Sequence, residues 1–150
     1  MLLLASVHGG CKLPEQPARE PHPEDLGPDQ IPYEQLSTYP EGMQADYVLF
    51  AKRCSKCHTL ARPLNSRFVS QKFWARYVTQ MWRRPASGMT HEEVRRIIDF
   101  LVYDAKVRKL DREKEFLAHR RRLLEQFRRE YPDRYEQEYA GHEPELLKLQ

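Results

Sequence analysis

Five consecutive residues, Cys54-Ser55-Lys56-Cys57-His58, constrain this chain more than any other stretch. Two thiols three positions apart lie one turn from each other, and an imidazole follows at once. That order is the attachment signature of c-type haem. The thiols add across the two vinyl groups of the macrocycle, and the histidine offers a nitrogen to the iron from one side. A zinc ribbon would take a second C-x-x-C or a pair of histidines, and the chain has three cysteines in all. A thioredoxin-like dithiol would follow a strand in a βαβ pattern, and none flanks this one. A chance match in so cysteine-poor a chain is the third alternative.

The surroundings of the pentapeptide carry a resemblance. The run from Phe50 to Leu60 resembles the haem-binding loop of monohaem cytochromes c, with the end of the helix that precedes it. Thr90 to Leu101 resembles their C-terminal helix, with the aromatic–leucine pair Phe100-Leu101 near its end. Phe73-Trp74 and Tyr77 to Met81 resemble a tryptophan-led segment of small exported bacterial cytochromes. The match covers about residues 41–110. It implies an all-α fold, with about three helices around one covalent haem c and His58 as proximal ligand. It also implies one-electron transfer, with no substrate and no catalytic residue. In the family a proline carbonyl often accepts the Nδ1 proton of the proximal histidine, which points to Pro63. Phe50 holds the place of the aromatic at the helix crossing. Asp46 stands where the family usually carries a glycine one turn earlier.

A carrier of this kind keeps a sixth ligand in both redox states, and a methionine thioether does so while favouring Fe(II). Met81, in the Tyr-Val-x-x-Met segment, is the first candidate and Met89, just before Thr90, the alternative. If neither ligates, His91 could, or the site is five-coordinate. That last case describes a different class, a haem subunit of a redox enzyme or a gas sensor. Trp74 and Tyr77 could offer N–H and O–H groups to a haem propionate.

Both ends of the chain lie outside the resemblance. Residues 1–11 are apolar, then small, then Cys11, similar to a lipoprotein signal whose cysteine becomes acylated; an ordinary export signal is the alternative. Export, to the periplasm or onto a lipid anchor, also follows from the haem reading. Residues 12–41 carry Pro14, Pro17, Pro21, Pro23, Pro28 and Pro32 among acids, which predicts an extended tether. No apolar run reaches the length of a membrane span.

Hydrophobic spacing then predicts three core helices. The first runs from Met43 to Arg53. The second covers residues 70–84, N-capped by Ser70, with Phe73, Trp74, Tyr77, Val78, Met81 and Trp82 on a stripe. The third covers residues 90–110 and opens with a Thr90–Glu93 capping box. Residues 111–150 read as a charged, amphipathic helical extension ending near Pro132, with Arg120, Arg121 and Arg122 on the solvated side and a frayed terminus. The extension is a candidate contact for a partner subunit.

The formal net charge of +3 is too small to argue for nucleic acid. Lys52, Arg53 and Lys56 nevertheless surround the attachment loop. They predict docking onto a redox partner with an acidic face.

Overall fold

The computed structural model describes residues 20–150. The signal-like stretch with Cys11, and the start of the proline-rich segment, lie outside the described residues. Within them the chain is all-helical, without strands. The α-helices are α1 (Tyr33–Leu36), α2 (Glu41–Cys54), α3 (Ala61–Asn65), α4 (Gln71–Trp82), α5 (His91–Ala105), α6 (Glu113–Glu130), α7 (Pro132–Glu138) and α8 (Glu143–Leu146). A 3₁₀ turn spans Pro23–Leu26, and a π-helical turn, Lys106–Leu110, follows α5.

The core is built where α5 packs against both α2 and α4. Phe50 of α2 and Phe100 of α5 are fully buried, with ring centroids 5.2 Å apart. Tyr47 joins them at 6.3 Å from Phe50 and 5.6 Å from Phe100. Tilted aromatic contacts of this kind add to the free energy of burial itself. Asp46 is buried one turn before Phe50 and accepts from Arg96 Nε of α5 at 2.6 Å. A carboxylate is therefore tolerated at this crossing because a guanidinium on the facing helix neutralises it. A second pair, Arg53 with Glu93, joins the same helices. Glu93 also accepts from the Thr90 amide at 2.9 Å, while Thr90 Oγ1 accepts from the Glu93 amide at 3.2 Å. The expected capping box is thus tied to the helix crossing. Ser70 caps α4 through the Phe73 amide at 3.3 Å, and α4 buries Trp74 and Val78.

Three expectations change. First, residues 20–41 are no tether. Prolines exclude a long helix but not packing: Pro23, Ile31 and Tyr39 are buried, although Tyr33 is exposed. Tyr39 Oη donates to Asp104 Oδ1 at 2.9 Å, and Asp25 pairs with Arg62. Second, the helix expected over residues 90–110 changes pitch after Ala105. The Asp111 amide bonds to the Lys106 carbonyl five residues back, at 2.9 Å. This wide turn points Lys109 into the protein. Its ammonium donates to the carbonyls of Ser66 at 2.9 Å and Pro63 at 3.3 Å, and lies 5.1 Å from the Trp74 ring centroid.

Third, the terminus is docked rather than frayed. The Gln150 amide bonds to the Arg67 carbonyl at 3.0 Å, and the Gln150 carbonyl accepts from Val69 and Ser70. Arg120 is not on the solvated side. It is buried, donating to the Asn65 carbonyl at 2.6 Å and to Glu24 at 3.0 Å.

Burial pushes the Lys109 ammonium down to about 7 from its ordinary 10.5. Asp104 and Glu24 oppose the shift, while Arg108 and Arg120 reinforce it. The unfolded chain keeps this lysine charged to near pH 10.5, so unfolding above pH 7 takes up a proton. Stability from this residue therefore rises with pH, by up to about 1.4 kcal/mol per unit. Urea denaturation at pH 7 and 8.5 should show the native chain gaining stability with pH. Lys109→Met should flatten that slope, and an unchanged slope would mean that Lys109 stays charged when buried.

Candidate cofactor cleft

Cys54 is the last residue of α2, and Cys57 lies exposed in the turn that follows, its amide 3.5 Å from the Cys54 carbonyl. Helix periodicity sets Cys54 one turn beyond Phe50, so it packs against the core cluster. Burial, with Cys57 beside it, pushes the Cys54 thiol up to about 12. Burial therefore favours the protonated Cys54 thiol over the thiolate.

His58 Nδ1 lies 2.8 Å from the Thr59 carbonyl. A carbonyl only accepts, so Nδ1 carries the proton and the neutral ring has its lone pair on Nε2. The Pro63 carbonyl does not have the role expected of it. It is buried and receives Ser66 Oγ at 3.0 Å and the Lys109 ammonium instead.

Five sequence-nominated residues come together. Cys54, Cys57, His58, Met81 and Met89 line one small cavity of about 40 Å³, closed by Arg53, Arg84 and Ser87. Met81 reaches it from the end of α4. Met89 reaches it from the loop after Gly88, whose positive φ of 57° makes the turn. His91 is elsewhere: it is exposed and meets the Trp82 ring edge-on at 4.3 Å.

Met81 and Arg84 also line a second cavity, of about 440 Å³. Its walls include Pro63, Phe73, Trp74 and Tyr77 on one side and Arg120, Tyr139 and Leu146 on the other. Trp74 and Tyr77 meet edge to face at 5.8 Å. The Trp74 indole Nε1 is buried and has no hydrogen-bond partner among the described residues. A buried N–H without an acceptor costs about 1–3 kcal/mol, and such a group asks for a ligand.

Lys109, Asn65, Arg67 and Arg120 were not nominated by the sequence. Arg120 had a readable signal, four residues after Phe116 and four before Leu124, hidden by the arginine triplet. Lys109 had none, because its inward turn depends on the π-helical step.

No protein-family model matches the chain, and no curated protein and no solved structure matches it. Among the described residues, no group of three His, Cys, Asp or Glu side chains could hold a metal ion. Iron already held in a macrocycle needs no such group, only axial ligands. No helix among the described residues is long and apolar enough to cross a membrane.

Alkylation tests this geometry. In haem-free protein at pH 8, peptide mapping should find iodoacetamide on Cys57 well before Cys54, which should label only after unfolding. Equal labelling rates would show that Cys54 is not buried.

Proposed function

We propose that the chain is a one-electron carrier with one covalent c-type haem, working outside the cytoplasm. The observation that carries this reading is the shared cavity, which gathers the two thiols, the imidazole and both candidate thioethers of Cys54, Cys57, His58, Met81 and Met89. The donor set fits the group: two thiols for the vinyl carbons, a lone pair on His58 Nε2, a soft sulfur, and the unsatisfied Trp74 N–H. Two cavities with Met81 and Arg84 in common lie beside these donors. About 40 Å³ holds little more than a water or two, whereas 440 Å³ falls among pockets that take organic ligands.

When bound, the haem supplies the Fe(III)/Fe(II) couple. The chain's own residues hold and insulate it. His58, whose Nδ1 is held by the Thr59 carbonyl, would offer its imidazole to the iron. Met81, on a helix packed against α5, supplies a thioether that favours the ferrous state, with Met89 as the alternative. Phe73, Trp74 and Tyr77 keep water from that side. Lys52 and Lys56 are exposed beside the attachment turn, whereas Arg53 is paired with Glu93. The two lysines would steer the carrier onto an acidic face of its redox partner, with rates that fall as salt rises. An acylated Cys11 would hold it at a membrane; Cys11→Ser should then move the protein to the soluble fraction.

The decisive experiment is an absorption spectrum of protein made with haem-attachment machinery, oxidised and reduced, before and after acid–acetone extraction. Colour that stays with the polypeptide and sharp low-spin bands in the reduced form are expected. A colourless, folded chain would overturn the reading. Met81→Ala should turn the ferric spectrum high-spin; an unchanged spectrum would transfer the ligand to Met89. Ready binding of carbon monoxide by the native ferrous form would instead favour an open-site haem subunit or sensor.

A further inference from the structure

We propose that the exposed face of α6 binds an anionic lipid surface through Lys114, Arg121, Arg122, Arg128 and Arg129. The helix lies outside the stretch that resembles cytochromes c, and its charge does not depend on haem. It buries Phe116, Arg120, Leu123, Leu124 and Phe127 on one side. With about 3.6 residues per turn, the five cations fall within about one third of the circumference, on the side away from the buried residues. All five are exposed. From Lys114 to Arg129 the row runs about 22 Å. The same arc holds one carboxylate, Glu125, and one uncharged residue, Ala118.

Among the described residues, the ion pairs of α6 to α8 use other cations: Arg120, Arg134 and Lys148. Arg128 lies over the Tyr135 ring, 5.5 Å from its centroid. None of the five lines either cavity, so a surface bound here leaves the cleft untouched. The composition of the row selects among anions. A protein interface is built on a buried apolar or aromatic anchor, and this face offers only Ala118. A plane of lipid headgroups requires no anchor, only cations within reach of its phosphates. The apolar side of α6 is taken up in packing, so this helix attaches by charge and not by insertion.

The path of the N-terminal strap points the same way. Glu20 pairs with Arg134 of α7 at 3.0 Å, and His22 Nδ1 lies 3.1 Å from Tyr139 Oη. The Pro23–Leu26 turn packs on α6 itself. The strap therefore reaches the body against the tail. Cys11 stands nine residues before Glu20, which bounds their separation at about 30 Å. An acyl group on Cys11 would keep the tail end of the body near the headgroups. One lipid group and one basic patch together make the two signals of stable peripheral attachment.

The test uses the full-length Cys11→Ser chain, so that no acyl group contributes. It should sediment with vesicles of equal parts phosphatidylglycerol and phosphatidylcholine, stay in solution with phosphatidylcholine alone, and be released as salt rises. Arg121→Gln/Arg122→Gln/Arg129→Gln should weaken partitioning onto the anionic vesicles on the order of a hundredfold, and each single substitution about fivefold. These three side chains are exposed, and Arg128 is spared for its ring contact. Lys52→Gln/Lys56→Gln should bind like the parent. No sedimentation with anionic vesicles, equal sedimentation with both compositions, or unchanged binding by the triple and single variants would overturn the proposal. So would retention on immobilised polyglutamate without vesicle binding, which would assign the row to an acidic protein. A colourless chain that binds anionic vesicles would sink the haem reading and leave the lipid surface standing.

Discussion

Three separate segments of the chain meet on one buried residue, Asn65 at the end of α3. Its Nδ2 lies within hydrogen-bond distance of the carbonyls of Glu24, Pro28 and Ala61, at 3.2, 2.9 and 2.7 Å. Its Oδ1 accepts from His119 Nε2 at 3.1 Å, and its backbone carbonyl accepts from Arg120. Each such bond contributes about 1 kcal/mol, but losing the amide would orphan several buried groups at once. The approach is close enough to require a glycine. A Cβ on Gly27 would come within 2.4 Å of the Asn65 amide nitrogen. The N-terminal strap, α3 and α6 are therefore registered on one another by a polar group. The loop from Pro63 to Phe68, held between Asn65 and Lys109, in turn sets where α4 begins. Because α4 carries Trp74 and Met81, the geometry of the cleft depends on this contact at one remove.

Local signals in the sequence translated well into local structure. Ser70, Thr90 and Glu93 cap the helices they were expected to cap, because capping uses groups within three residues of one another. Phe50 was legible as core from helical spacing, whereas Phe100 was marked only by the resemblance. The candidate site was legible in part. The pentapeptide nominated Cys54, Cys57 and His58, and the thioether argument nominated Met81 and Met89. Only the packing of α4 against α5 brings those two methionines to the same cavity, and no periodicity carries that information.

Errors arose where the outcome depended on distant partners. Proline content argued correctly against a long helix in residues 20–41, but it is silent on burial. Ile31 and Tyr39 are too few to make a periodic signal, yet they suffice to anchor the strap on α5. Pro63 was a reasonable acceptor for His58 by proximity in sequence. That role went to the adjacent Thr59 carbonyl, and the Pro63 carbonyl accepts instead from a lysine 46 positions away, which reaches it through the wide turn at residues 106–110.

That turn also explains why a tail so rich in charge can dock at all. Two apolar clusters exist, one around α2, α4 and α5, the other around Leu124, Phe127 and Tyr135. Between them lies a layer of buried polar groups: Asn65, Asp104, Lys109 and Arg120. An apolar layer would hold the halves together with less desolvation cost. It would also let them slide, because apolar contact is non-directional. The polar layer permits few registers, since each displaced donor would be left buried and unpaired. The Lys109 ammonium illustrates the constraint. It has no carboxylate among its hydrogen-bond partners, only Ser66 Oγ and the carbonyls of residues 63, 66 and 68, and it touches the rings of Trp74 and Phe116. Moving the tail by one turn would break the ammonium's Phe116 contact together with the Arg120 bonds to Glu24 and the Asn65 carbonyl. The larger cavity, which that tail lines through Arg120, Tyr139 and Leu146, gains a defined shape from groups that contribute little net stability.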